Sequence, residues 1–256
     1  MAVISDKYLK TQEDISLMRE AGRLNARVLR EVRALIRPGI TTEELDQFAE
    51  TFLRDHGAVP TFKGYPGPYP YPATLTVSIN EEMVHGIPSG RVLREGDLVS
   101  VDCGTTYQGF VGDSAFTVGV GDISPDRKRL IEAAEGALAQ GIEQMVPGNR
   151  VGDISAAIQR YVEDLGYHVP RKYTGHGVGW EMHEPPQVPN FGVPGRGMTL
   201  QAGMTIAIEP MVLVGTSRTK VLADRWTVTS EDNSLTSHAE HSVAVTENGP
   251  LILTEV

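Results

Sequence analysis

Cysteine is nearly absent: Cys103 is the single thiol in 256 residues. One cysteine cannot close an intramolecular disulfide, so a reducing, cytoplasmic setting is expected. Basic residues are in deficit, with 23 Lys and Arg against 33 Asp and Glu and a formal charge of −10. That sign argues against a domain-wide nucleic-acid surface, and DNA is not an expected partner. No apolar run approaches the ~18 residues of a membrane span. Residues 1–10 lack the apolar stretch of a signal peptide, so neither membrane insertion nor secretion is expected. Two common signatures are missing as well. His238-Ala-Glu-His241 has the wrong order for HExxH, and the GHGVG run at residues 175–179 lacks the GxGxxG spacing of a dinucleotide site.

What is present is ordinary globular composition, 40% apolar and 22% charged, which excludes disorder, collagen-like repeats and a long coiled coil. Ile15, Met18, Val28, Val32 and Leu35 recur at helical spacing, predicting a helix over residues 14–36 that Pro38-Gly39 stops. Thr41 and Thr42 ahead of Glu44 read as the cap of a second helix running to Gly57. The plan then returns: a helix opens at Pro125 and ends at Pro147-Gly148, and another covers residues 153–166. Pro38-Gly39 and Pro147-Gly148 are 147 − 38 = 109 residues apart, and Leu29/Leu138, Asp55/Asp164 and Gly57/Gly166 share that offset. Gly96 precedes Asp102 by six residues, as Gly203 precedes Glu209, an offset of 209 − 102 = 107. Two registers in near agreement predict an α+β fold: a pseudo-twofold duplicated antiparallel sheet with two helix pairs on its outer face. On this reading residues 1–256 form one domain, with a short lead at 1–13 and half-repeats at about 14–119 and 125–250. Residues 63–72 and 184–197 are expected to be Pro/Gly loops bordering a site.

Four acids interrupt segments that otherwise read as core strands: Asp102 in LVSVDCG, Asp113 in FVGDSAF, Glu209 in TIAIEPM and Glu240 in SHAEHSVAV. Asp102 and Glu209 are expected to end their strands, on the face opposite Val99/Val101 and Ile206/Ile208. Buried unpaired carboxylates are costly and tend to protonate, so four together need a shared compensating charge. Arg or Lys is scarce nearby, and divalent metal is the more economical partner. His176, flanked by glycines, is the imidazole candidate. An oxygen-rich, thiolate-free set suits Mn, Co, Fe(II) or Zn in a reactive site better than a structural zinc. Two dications would balance four carboxylates and hold a hydroxide at a nearly neutral cluster. Taken singly, each acid also fits a structural ion pair, and His85, His176 and His183 each fit loop positions. Cys103, on the strand face opposite Asp102, reads as core packing.

The ordered set VHGIP (84–88), VDCG (101–104), GDSA (112–115), GHGVG with a second histidine seven residues after His176, IEP (208–210) and the late EHSV (240–243) resembles the methionine aminopeptidases, type I, of the pita-bread metallopeptidases. The resemblance runs from about Asp14 to the C-terminus. It implies that Asp102, Asp113, His176, Glu209 and Glu240 bind two divalent ions (Co, Mn, Fe(II) or Zn), with Asp113 and Glu240 bridging them. It further implies that His183 contacts the scissile carbonyl, that His85 lies near the peptide nitrogen, and that Glu209 is both ligand and general base. The implied activity is removal of the initiator methionine from nascent chains whose second residue is small and uncharged. Phe62 and Thr76 stand where relatives often have cysteine, and Met182 where an aromatic is frequent. Tyr65 and Trp226 match the aromatic walls of the substrate pocket, although Trp226 also fits ordinary strand core. The short spans between His183, Glu209 and Glu240 leave no room for the insertion of the type II branch. Prolidase-like enzymes, which carry an extra N-terminal domain, and a non-catalytic peptide-binding module are the rival readings. The family acts mostly as monomers. Arg19, Arg23, Arg27, Arg30 and Arg37, with Arg218, Lys220 and Arg225 in a later loop, read as solvated faces or as a weak ribosome contact.

Overall fold

A computed structural model of the chain describes residues 4–256. Residues 1–3, part of the 1–10 segment expected not to be a signal peptide, lie outside the described residues. Among the described residues no helix is long and apolar enough to cross a membrane.

The chain opens with helices α1 (Gln12–Leu35) and α2 (Thr42–Asp55). Strands β1 (Val59–Pro60), β2 (Leu75–Ile79) and β3 (Glu82–Val84) precede a long hairpin of β4 (Leu98–Tyr107) and β5 (Phe110–Gly119). Helices α3 (Pro125–Glu143) and α4 (Val151–Asp164) follow. The remainder is β6 (Thr174–Gly177), β7 (Glu184–Pro189), β8 (Thr205–Ile208), β9 (Met211–Leu213) and β10 (Thr219–Val221). Last come β11 (Val228–Ser230), β12 (Thr236–His238), β13 (Glu240–Thr246) and β14 (Gly249–Ile252). The main sheet is antiparallel with order β1-β4-β5-β13-β8-β6-β7, and β2 and β14 add to β4 and β13.

Helix boundaries follow local chemistry. Reciprocal capping boxes start α1 at Thr11/Asp14 and α2 at Thr41/Glu44, so α1 begins two residues before its expected start. Gly57 and Gly166, each two residues past a helix end, take φ of +72° and +82°, which only glycine adopts without strain. The helices therefore stop at Asp55 and Asp164, and α3 stops at Glu143, short of Pro147. Both sequence offsets recur as contacts. Thr41 bridges Val92 and Arg150 bridges Thr199, while the N–H of Gly39 donates to Leu93 O and that of Gly148 to Leu200 O.

The strands separate two environments. Val99, Val101 and Cys103 of β4 pack with Leu24, Val28, Leu45 and Leu53 of α1 and α2. Ile206 and Ile208 of β8 and Val243 and Val245 of β13 pack with Leu130, Ala134, Ile154 and Ile158 of α3 and α4. Alternation sends Asp102, Ala207 and Glu240 to the other face. Cys103 is accordingly a fully buried core residue.

Four expectations are corrected. Asp102 lies in mid-strand, because the pairing of β4 with β5 continues to Tyr107↔Phe110 across a two-residue turn in which Gln108 and Gly109 both have positive φ. Residues 184–189 are a strand, not a loop. β7 is the outermost strand beyond β6, where prolines need not donate to a further neighbour. Lys220 lies in β10, paired with β11, while Arg218 and Arg225 flank it. Trp226 lies between β10 and β11 with no strand pairing, which removes the strand-core alternative.

Candidate metal centre

Five strands or strand ends deliver the polar groups to one place. Asp102 comes from β4, Asp113 from β5, His176 from β6, Glu209 from the residue after β8, and Glu240 from the first residue of β13. Direct pairing of β4 with β5, β5 with β13, β13 with β8 and β8 with β6 makes these strands a continuous row. Donor atoms of Asp113, His176 and Glu240 lie within 4.8 Å of one another. His176 Nε2 is 3.7 Å from Asp113 Oδ2 and 3.5 Å from Glu209 Oε1. On the far side of its ring, His176 Nδ1 is 2.9 Å from the carbonyl of Gly177. A carbonyl only accepts, so Nδ1 carries the proton and the Nε2 lone pair faces the acids. Asp102 Oδ1 and Asp113 Oδ1 are buried with no hydrogen-bond partner.

Burial first, and then mutual repulsion, pushes Asp102, Glu209 and Glu240 well above the usual carboxylate range. Burial likewise lifts Asp113 to about 7. Burial lowers His176 to about 3 and His85 to about 4, the nearby His183 adding to both shifts. Crowded acids with orphaned oxygens beside a neutral imidazole lone pair are a donor set that fits divalent cations. Asp113 keeps its carbonyl and amide tied to Ser242 Oγ, at 2.8 and 3.0 Å, so its backbone is fixed while its side chain is left unsatisfied.

This chemistry has a pH signature. The folded apo state holds carboxyl protons that the unfolded chain releases above about pH 4. The acids therefore lower its stability as pH rises from there toward their raised folded values, and above about 6.5 no histidine opposes them. The cost is about 1.4 kcal/mol per pH unit for each retained proton. The buried histidines act in the opposite sense, but only below their unfolded value near 6.5. A chelator-treated sample is expected to lose melting temperature from pH 6.5 to 8, and a manganese-saturated one to lose much less. Parallel melting curves with and without chelator check this, and a flat chelated profile contradicts it.

A cavity of about 600 Å³ opens over the cluster. All twelve residues expected at the site line it: the five acid and imidazole ligand candidates, His85, His183, Phe62, Tyr65, Thr76, Met182 and Trp226. Only His176 leaves the loop-surface alternative, being buried in β6; His85 and His183 lie in loops, half-buried and exposed, yet both face the cavity. The Tyr65 hydroxyl lies 2.5 Å from His183 Nδ1, and the His183 and His176 rings are 4.2 Å apart between centroids. His85 follows β3 at φ +61°, an uncommon conformation for a non-glycine residue, and its ring meets Trp226 edge-on at 6.3 Å. Trp226 is braced by Tyr71 at 5.1 Å and Tyr69 at 6.2 Å, both from the Pro/Tyr loop.

Sequence reasoning missed Tyr71, Lys172, Tyr173, Glu184 and Gln187, which also line the cavity. It also missed His238, buried with Nε2 unpartnered and 4.0 Å from Glu240 Oε2. Read as one alternating run, residues 238 and 240 fall on one face, which is the signal that would have found His238, although the structure places them in separate strands, β12 and β13. For Lys172 and Gln187 no local pattern exists.

An antiparallel sheet carrying buried acids and an imidazole at the base of a cavity defines a protein built to hold divalent cations. The profile of metallopeptidase family M24 matches residues 16–247. The methionine aminopeptidase 1 of Bacillus subtilis is 49% identical over 247 residues, covering 96% of this chain and 98% of that protein. Methionine aminopeptidase 1 of Mycobacterium tuberculosis is 47% identical, covering 94% and 92%. The crystal structure of methionine aminopeptidase from Thermotoga maritima superposes with a TM-score of 0.94 at 45% identity, covering 97% and 99%. Prolidase from Pyrococcus furiosus shares the fold alone, at a TM-score of 0.79 and 23% identity, and this chain spans 66% of it. The chain belongs to the methionine aminopeptidases, with the pita-bread fold of that family.

Proposed function

We propose that this hydrolase removes the N-terminal methionine from nascent polypeptides in the cytoplasm when the second residue is small and uncharged. The observation that carries the proposal is the convergence of Asp113, His176 and Glu240 donors within 4.8 Å at the base of a cavity walled by Phe62, Tyr65, Thr76, Met182 and Trp226. The aromatic and thioether walls suit a slim, polarizable methionine side chain. Asp102, Asp113, His176, Glu209 and Glu240 are read as the ligands of two divalent ions. Such ions, when bound, polarise the scissile carbonyl, make water a nucleophile near neutral pH and accept the free α-amine.

The chain's own groups then divide the work. Glu209 accepts the proton of the attacking water and passes it toward the departing amine. His183, held below its usual pKa by burial, is neutral and donates from Nε2 to the carbonyl oxygen as charge develops there. For that tautomer Nδ1 must accept, so the Tyr65 hydroxyl is the donor in their 2.5 Å contact. His85, also neutral, sits beside the peptide nitrogen. Residues 1–256 are taken as one catalytic domain acting as a monomer.

The decisive experiment offers apo-protein reloaded with Mn or Co both Met-Ala-Ser and an Xaa-Pro peptide. Methionine release from the first alone is expected. Cleavage of the Xaa-Pro peptide would move the reading to a prolidase, and turnover of neither with metal bound would move it to a binding module. A weak ribosome contact is proposed for the exposed arginines of α1. Arg23 and Arg30 are partly engaged with Glu20 and Glu31, so only weak, salt-sensitive co-sedimentation is expected, and binding indifferent to salt rejects it.

A further inference from the structure

The residue that follows His183 is held by a side chain from the opposite end of the chain. Lys10, in the segment ahead of α1, sends its ammonium to Glu184 Oε2, and both side chains are only 1% exposed. The same ammonium donates to Tyr8 O at 3.2 Å and lies 4.3 Å from the centre of the Trp180 ring. Glu184 is occupied on its other oxygen as well. Oε1 accepts the backbone N–H of Trp180 at 2.8 Å and of Glu181 at 3.2 Å. One carboxylate therefore closes the turn of residues 179–184, and one lysine compensates that carboxylate.

Both ends of this latch are anchored. The Lys10 N–H donates to Gly203 O at 2.8 Å, and the Gly203 N–H donates to Val245 O, which ties the segment to the sheet. On the turn side, Gly179 O accepts from Val111 of β5 at 2.7 Å. Gly179 leaves no space for a side chain, since a Cβ there would strike Lys10 Cε and Nζ. Between these anchors the turn projects Met182 and His183 into the cavity, and Glu184 itself reaches the wall.

We propose that Lys10 is a positioning residue for the chemistry of His183: it holds Glu184, Glu184 shapes the 179–184 turn, and the turn aims the imidazole. The inference rests on the reading of His183 as the partner of the scissile carbonyl oxygen. Removing the ammonium leaves a buried carboxylate without a counter-charge. That carboxylate must protonate or move toward water, and it drags its neighbour in the chain with it. A displacement near 1 Å costs about a hundredfold in rate where catalytic groups must meet the reacting atoms closely. The five ligand candidates lie outside the turn on their own strands or strand ends, so metal uptake is expected to change far less than kcat.

The test is a kinetic cycle on the metal-loaded protein with Lys10→Met, His183→Ala and the double variant. Lys10→Met keeps the aliphatic stem over Trp180. It is expected to lower kcat roughly tenfold to a hundredfold, with KM shifted less than about threefold and Mn affinity changed far less than kcat. Lys10→Arg, which restores a cation, should recover part of that loss. In the His183→Ala background the Lys10 change should cost little more, because both act on one step. Multiplying effects would mean that Lys10 acts on the enzyme generally, and would overturn the inference. Wild-type kcat in Lys10→Met beside an impaired His183→Ala would overturn it alone, while an unimpaired His183→Ala would overturn the reading beneath it. If Lys10→Met fails to fold, Glu184→Gln serves instead, since it removes the paired charge but keeps an acceptor for the turn N–H groups.

Discussion

Asp113→Asn lowers kcat/KM for a Met-Ala peptide by about a thousandfold or more, because the group it changes is shared by the whole cluster. Asp113 Oδ2 faces His176, its donor atoms lie within 4.8 Å of those of Glu240, and its Oδ1 has no hydrogen-bond partner. An amide has the same shape but one oxygen and no charge, so it supports fewer cations and supports them less well. Calorimetric titration with Mn should register weaker or fewer binding events. Stability moves the other way. In the apo state a neutral side chain relieves repulsion among Asp102, Glu209 and Glu240, each of which is pushed up partly by the Asp113 charge. The chelated variant is therefore expected to melt above chelated wild type at pH 8 and close to it at pH 5. Opposite signs for activity and apo stability separate a ligand from a structural ion pair, whose removal would lower both. Activity within tenfold of wild type would remove Asp113 from the centre.

His183→Ala is expected to lower kcat by about a hundredfold to a thousandfold while metal uptake stays at the wild-type level. The residue lines the cavity but is not among the three clustered donors, and its ring nitrogen Nδ1 is engaged by Tyr65. Its contribution comes when negative charge appears on the carbonyl oxygen, so kcat should carry the loss and KM should change little. Tyr65→Phe, which removes the hydroxyl but keeps the wall, should cost a smaller part of the same step and nothing further once His183 is gone. A stopped-assay series on the two single variants and the double variant decides the point. A rise in KM without loss of kcat would recast His183 as a binding residue.

How far these roles could be read without coordinates depended on distance along the chain. Thr41 with Glu44 is a short-range device that acts where it was read. Gly57 and Gly166, read as the last helical residues, instead lie two residues past helices that end at Asp55 and Asp164, and α4 starts at Val151, two residues early. The face on which Asp102 projects followed from period-two alternation, since Val99, Val101 and Cys103 lie together against α1 and α2. Strand ends were read less well. Asp102 was expected at an end, but pairing with β5 carries β4 on to Tyr107. The prolines of 184–189 were read as loop, because their tolerance in a strand depends on lying at the sheet edge, a property of the neighbours and not of the segment.

While the pita-bread fold came from the family resemblance of its motifs, composition, alternation and a twice-repeated offset determined by themselves that this chain builds a duplicated α+β sheet and buries acids that call for a cation. Those are statements about burial and periodicity, which each residue carries into any packing. Only the tertiary structure decided that twelve side chains spread from Phe62 to Glu240 face one cavity, and that His238 joins Glu240. It alone also brought Lys10 to Glu184, 174 residues away. Contacts of that span leave no mark in local sequence, because neither partner needs the other until the sheet has curled and water has been excluded from both.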